Sequence, residues 1–228
     1  MFYYYGRKKQ IAKKYPEPNF ETIIEPFAGA AAYSFHNDNW KKQVILIEKD
    51  QRVADIWNWL IDEATADSIT NLPDLMPGEK SSEFLHIIHA ATKMAFKYKT
   101  IKVTPVLARN WEISKRVISS NIHKIKHWSI TCGDFSISPD IEATWFIDPP
   151  YKGPQGMGYE QSSALLNYDE LANWALDRKG ELIFCEGELG DYLPFHPLVD
   201  LKGVAGKVSK EKIFYRSDCE PAQVKLFG

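Results

Sequence analysis

The tetrapeptide Asp148-Pro149-Pro150-Tyr151 sets a carboxylate, two rigid peptide units and an aromatic ring in consecutive positions. Prolines fix φ and carry no N–H, so they leave neighbouring acceptors uncontested. A planar ring with an exocyclic amine needs two acceptors for its two hydrogens. The Asp148 carboxylate and the Pro149 carbonyl would provide them. Tyr151 would stack on that ring, an interaction worth about 1–3 kcal/mol for a base. A plain strand-to-loop turn is the alternative. The apolar run Ala143–Ile147 just before the tetrapeptide favours a ligand site, because open α/β sheets bind ligands at the carboxyl ends of their strands.

Two other segments have the same character. Thr22–Ile24 runs into Glu25-Pro26-Phe27-Ala28-Gly29-Ala30-Ala31, where Gly29 permits a sharp turn and the close approach of a ligand. Val44–Ile47 ends in Glu48, at the place where nucleoside-binding α/β folds hold a ribose diol. The turn has neither the Lys-Ser/Thr pair of a phosphate loop nor a full GxGxxG. A nucleoside triphosphate and a nicotinamide are therefore the poorer ligands.

These residues need a scaffold, and the pattern supplies one. The runs at 22–24 and 44–47 are short and apolar without alternation beyond Thr22, which predicts buried parallel strands, and 143–147 and 181–185 read as further apolar strands. A helix-compatible stretch follows Gly29 to about Asn39. Asp50 caps a helix whose apolar positions are Val53, Ile56, Trp57, Leu60, Ile61 and Ala64. Asn71–Lys80 is a loop, and Ser81 is placed to cap a helix through Phe96. Thr104-Pro105 starts another helix, with Leu107, Trp111, Ile118, Ile122 and Ile125 on one face and Arg109, Arg116 and His123 on the other. Ser129–Cys132 runs into Gly133-Asp134-Phe135, and a helix covers Tyr168–Leu176. Val199–Val204, Lys212–Tyr215 and Val224–Phe227 read as strands, some antiparallel. The expected fold is α/β: a doubly wound, mostly parallel sheet with an antiparallel C-terminal strand. Residues 1–61 and 128–228 would form one domain, and 62–127 a helical insertion.

Composition narrows the class. The chain has 228 residues, 44% hydrophobic and 13% aromatic, which excludes a disordered chain, and no apolar run approaches a membrane span. Cys132, Cys185 and Cys219 are scattered and His86 and His89 lack further ligands, so neither a disulfide framework nor a metal site is expected, and a cytoplasmic location is. The net charge of −2 hides a segregation. Residues 1–15 hold five basic side chains and no acid, and 93–127 hold nine against Glu112 alone. A polyanion feels such local fields within about 8 Å. Solvated helix faces would give the same pattern. Trp57, Trp59 and Trp111 read as packing residues, and Cys185-Glu186-Gly187-Glu188 as an ordinary loop.

Taken together, these motifs resemble the Dam-like adenine methyltransferases of the small phage type, whose cofactor is S-adenosylmethionine. The likeness covers residues 1–60 and 127–160, with Tyr4-Tyr5-Gly6-Arg7-Lys8 matching the N-terminal motif except at Arg7 and Phe27-x-Gly29 the cofactor motif except at Ala31. The resemblance implies a Rossmann-like methyltransferase sheet without a metal. Tyr4 and Lys8 would contact the cofactor's methionine end, Glu25 its amino group, and Phe27 and Gly29 would shape the pocket. Glu48 would hold the ribose, Asp134 the cofactor's adenine, and Phe135 would pack beside it. Asp148, Pro149, Pro150 and Tyr151 would bind the target adenine, with Arg109, Arg116 and Lys152 on DNA. The reaction implied is methyl transfer to the 6-amino group of a flipped adenine in DNA, by a monomer, in a setting such as restriction-modification. RNA as substrate and a catalytically lapsed DNA-binding accessory are the alternatives. The loop Lys152–Ser163 is placed to close over the site.

Overall fold

The chain's central strands are apolar on both sides because both sides are covered. The computed structural model describes residues 2, 8, 11–83, 85–86, 100–154, 156–158, 163–202 and 208–218. One sheet of seven strands contains β1 (Thr22–Glu25), β2 (Gln43–Glu48), β5 (Ser129–Cys132), β6 (Ala143–Ile147), β7 (Gly180–Glu186), β8 (His196–Lys202) and β9 (Val208–Ser217), in the spatial order β5-β2-β1-β6-β7-β9-β8. β3 (Lys80–Ser81) and β4 (Ile101–Lys102) form a separate antiparallel ribbon. In the large sheet only β9 runs against its neighbours. The chain winds from β1 outward through β2 to β5, then returns to β6 on the other side of β1. That reversal puts a crevice at the carboxyl ends of β1 and β6.

Alternation across the pleat divides the core in two. Ile23, Leu46, Phe146 and Ile183 join one cluster with Val53 and Trp57, while Ile24, Ile47, Trp145 and Leu182 join another with Leu171 and Ala175. The first face is covered by α1 (Gln51–Asn58), and the second by α4 (Tyr168–Leu176). Asp50 caps α1 by accepting the Arg52 N–H, and Thr104 caps α3 (Pro105–Asn121) by accepting that of Leu107. All five apolar positions expected on α3 and the turn after it are buried. Leu107 and Trp111 pack in a small satellite core, Ile118, Ile122 and Ile125 in the main one. Residues 62–127, which also include α2 (Ala66–Thr70), are thus rooted in the main core.

Three expectations need correction. Residues 30–38 form successive turns instead of a helix, because Ala31 and Asn37 take left-handed φ values of 46° and 47°. Ser81 belongs to β3, and its hydroxyl accepts the Glu83 N–H; of the helix expected after it, Ser82, Glu83, Leu85 and His86 lie within the described residues, and of these Leu85 and His86 are helical. Two lysines of the basic segment are tied to the protein's own oxygens, Lys115 in a buried position and Lys126 at the surface. Lys115 donates to Leu72 O and Asp74, and Lys126 caps the carbonyls of Leu60, Ile61 and Ala64, where the helix ends in a π-turn. Lys93, Lys97 and Lys99, the strand expected at Val224–Phe227 and Cys219 lie outside the described residues. Cys132 and Cys185 are free thiols. No helix among the described residues is long and apolar enough to cross a membrane.

Ala31 is buried in the left-handed region, which costs an L-residue about 1–2 kcal/mol. Ala31→Gly relieves that strain but loses a buried methyl, about 0.8 kcal/mol, and gains unfolded-state entropy of similar size. The terms cancel, so thermal unfolding should find Ala31→Gly close to neutral. Ala30→Gly, where the φ is not left-handed, should destabilise by about 1–2 kcal/mol.

Candidate active site

Glu48 ties the first part of the crevice together. Its two carboxylate oxygens accept the N–H groups of Gly29 and Asp50, each at 2.9 Å, so the end of β2 holds both the glycine turn and the start of α1. Ala28 N–H bonds Ile47 O, Gly29 takes φ 46°, and its carbonyl accepts the Trp57 indole N–H at 2.9 Å. Gly133 N–H bonds Glu48 O, which brings the end of β5 alongside. Asp134 there caps the turn Phe135–Ile137 and pairs with Lys49 at 2.9 Å. Phe27 stacks on Phe135 with centroids 5.8 Å apart, and Phe135 meets Trp174 edge-on. Gly29, Glu48, Asp134, Phe27 and Phe135 are thus brought together. Each carboxylate oxygen of Glu48 has a second lone pair, so the group still accepts from a diol. Burial pushes its pKa up.

Glu25, at the end of β1, is buried and accepts the Ser34 N–H at 2.9 Å. Burial raises its pKa to about 7.

The end of β6 holds the second part. Lys8 Nζ lies 2.8 Å from Asp148 Oδ1, 3.8 Å from Glu211 Oε1, and 4.3 Å from the centre of the Tyr151 ring. Tyr15 and Tyr151 both donate their hydroxyls to Glu211 Oε1 at 2.5 Å. Lys8, expected at the cofactor's methionine end, therefore stands against the tetrapeptide. Burial raises the pKa of Asp148 and of Glu211, and the Lys8 ammonium offsets part of each rise. Tyr4 lies outside the described residues.

The tetrapeptide is held from several sides. Pro149 is buried, and Pro150 O accepts the Tyr168 hydroxyl at 2.7 Å. Lys152 N–H donates to Glu186, and its ammonium pairs with Asp191 at 2.6 Å. Glu186 also accepts the Tyr192 hydroxyl at 2.5 Å, and Tyr192 packs on Tyr168. Glu186 is thus a buried anchor, where the sequence suggests an ordinary loop. Of the loop expected to close over the site, Gln155 and residues 159–162 lie outside the described residues; Gly156 N–H and the Ser163 hydroxyl both bond Gly153 O. Arg109, Arg116 and His123 are exposed on the helix face expected of them, Arg116 beside Glu112. His123 meets Trp40, just before β2, so this end of the ridge lies at the amino end of the sheet, away from the crevice.

The residues that sequence reasoning missed are Tyr15, Glu211, Tyr168 and Tyr192. Glu211 sits between Lys210 and Lys212, a run that reads as solvated, and only the pairing of β9 beyond the end of β7 turns it inward. Among the described residues, the cluster sets two carboxylates against one ammonium in a poorly solvated place. It favours amine donors and positive charge. Among the described residues no three His, Cys, Asp or Glu side chains gather as a metal site.

Glu25 gives a pH test. Its folded pKa of about 7 lies above the ordinary 4.5, so the native state holds a proton that the unfolded chain releases between those values. Its stabilising contribution is full below pH 4.5 and falls as the pH rises to about 7, by up to about 3 kcal/mol. The raised pKa values of Asp148, Glu48, Glu186 and Glu211 add to the same slope. Unfolding of Glu25→Gln across this range should show a shallower decline than the wild type, and equal slopes would refute the assignment. Comparison with known proteins finds no family model and no curated protein that matches the chain.

Proposed function

We propose that this chain is an S-adenosylmethionine-dependent DNA methyltransferase acting on the 6-amino group of adenine. One observation carries the reading: Asp148-Pro149-Pro150-Tyr151 stands at the carboxyl end of β6, beside the switch point of the sheet, in a cluster that among the described residues has two carboxylates to one ammonium. The strand order, with β9 alone reversed, agrees with the methyltransferase sheet that the sequence resemblance implies.

The residues along β1, β2 and β5 suit the cofactor as hydrogen-bond acceptors and aromatic walls. Glu48 would accept from the ribose hydroxyls, Phe27 and Phe135 would wall the adenine, and Glu25 would meet the ammonium, which favours its ionised form. Asp134 would accept from the adenine amine in place of Lys49. When bound, the cofactor supplies an electrophilic methyl group on a sulfonium. The turn closes its hydrogen bonds with alanine at position 31, which argues against a lapsed pocket.

Asp148 and the Pro149 carbonyl would accept the two amine hydrogens of the target. The amine nitrogen is a poor nucleophile because its lone pair is delocalised into the ring. Two fixed acceptors favour a tetrahedral nitrogen and stabilise the charge that develops as it bonds to the methyl carbon. The sulfur–methyl bond breaks, and one amine proton leaves to solvent. Asp148 keeps acceptor capacity beside Lys8, since each oxygen has two lone pairs. Flipping the base from a duplex costs a few kcal/mol, which stacking on Tyr151 and phosphate contacts offset. Of the three cations proposed for DNA, Lys152 directly follows the tetrapeptide, and the α3 ridge would meet only flanking DNA.

Asp148→Ala and Asp148→Asn, assayed with radiolabelled cofactor on adenine-containing duplex DNA, should lose about a hundred-fold or more in transfer rate. Retained transfer would remove the carboxylate's role. A matched structured RNA in the same assay should be the poorer substrate.

A further inference from the structure

We propose that Glu211 is a positioning residue for the methyl-accepting base, aligning Tyr151 and Lys8 against Asp148 from the antiparallel strand β9. The inference rests on the function just proposed. Glu211 is 3% exposed, and a carboxylate in such a place costs several kcal/mol unless charge and hydrogen bonds compensate it. Its compensation comes from Tyr15, Tyr151 and Lys8, of which two are crevice residues.

The contrast with Glu181 separates this from ordinary structural use. Glu181 is also fully buried, near the amino end of β7, and accepts from Asn19 N–H, the Asn19 amide, the Thr144 hydroxyl and the Tyr215 hydroxyl. Those donors lock the far end of the sheet and touch none of the crevice residues. Glu211 does the comparable work at the carboxyl end, through the groups that would meet the substrate.

Two consequences follow for the base. The hydroxyl bond to Glu211 fixes the rotation and tilt of the Tyr151 ring, which an unanchored ring would vary. The Lys8 ammonium lies over one face of that ring at 4.3 Å, so a stacking base would have to use the opposite face. Lys8 in turn sits between two carboxylates, 2.8 Å from Asp148 and 3.8 Å from Glu211. When an amine takes up acceptor capacity on Asp148, a shift of about 1 Å brings the ammonium into close ion-pair contact with the Glu211 carboxylate, whose Oε1 already accepts the two hydroxyls. The acceptor is then presented without stranding a buried cation.

The test uses the full chain with Glu211→Ala, Glu211→Gln, Tyr151→Phe and the Tyr151→Phe/Glu211→Ala pair. Methyl transfer to duplex DNA gives kcat, and calorimetry gives cofactor affinity. Glu211→Ala should lower kcat by about a hundred-fold, the scale of a misplaced reactant, while cofactor affinity stays within about two-fold. The pair should be no slower than Glu211→Ala alone, because both changes break one unit. Glu211→Gln keeps an acceptor for both hydroxyls and should recover about ten-fold of the loss. It also serves as the folded control if the alanine variant does not fold.

Unchanged kcat in a folded Glu211 variant overturns the proposal, as do losses that multiply in the pair or a parallel loss of cofactor binding. A wild type that transfers no methyl group overturns the methyltransferase reading itself. An active wild type with an indifferent Glu211 overturns only this inference.

Discussion

The ion pair between Lys8 and Asp148 holds the amino-terminal segment to the carboxyl end of β6, and the crevice depends on it. Neither charge would be stable there alone. Asp148 keeps only a fifth of its side-chain surface open and Lys8 a tenth, so each loses most of its hydration. A buried pair of this kind rarely gains much net stability, but removing one partner is costly because the other is stranded. The pair therefore acts as a constraint: whatever binds Asp148 must also deal with Lys8. Glu211 makes the exchange feasible by offering the ammonium a second seat 3.8 Å away.

The sheet was legible in the sequence because its signals are local. A strand covered on both faces is apolar at nearly every position, and Ile23–Ile24, Val44–Ile47 and Trp145–Ile147 are runs of that kind. Asp50 and Thr104 announce their helices through side chains that reach only two or three residues ahead. The candidate site was legible where residue type and strand end coincide, as at Glu48 and Asp148. The rest depends on distant pairings. Nothing near Glu211 says that two tyrosines from positions 15 and 151 converge on it. Lys115 and Lys126 look like free surface charge until the carbonyls of Leu72 and of the π-turn after α1 are placed against them. The turns after Gly29 read as a helix because alanine is a strong helix former, and the left-handed φ at Ala31 overrides that preference.

The two ends of the sheet handle buried acid differently. Glu181, at one end, is surrounded by four neutral donors and serves only to lock strands and loop together. At the other end Glu25, Glu48, Asp148, Glu186 and Glu211 all have pKa values raised by burial. A fold selected only for stability would place apolar side chains at such positions. Retaining five acids around one crevice reduces the stability of the free protein as the pH rises, and that reduction is recovered when positive charge enters.

That electrostatic arrangement bears on how the proposed reaction would turn over. S-adenosylmethionine carries a sulfonium and an ammonium against one carboxylate, so it brings net positive charge to a site that lacks it. Transfer of the methyl group removes the sulfonium charge and leaves a neutral thioether. Attraction between the crevice and the spent cofactor falls accordingly, by an amount that grows as the local dielectric decreases. The same burial that raises the carboxylate pKa values would thus strengthen binding of the charged cofactor and weaken binding of its product. In the proposed enzyme the carboxylates do more than hold substrates, because the charge they compensate is the charge the reaction consumes.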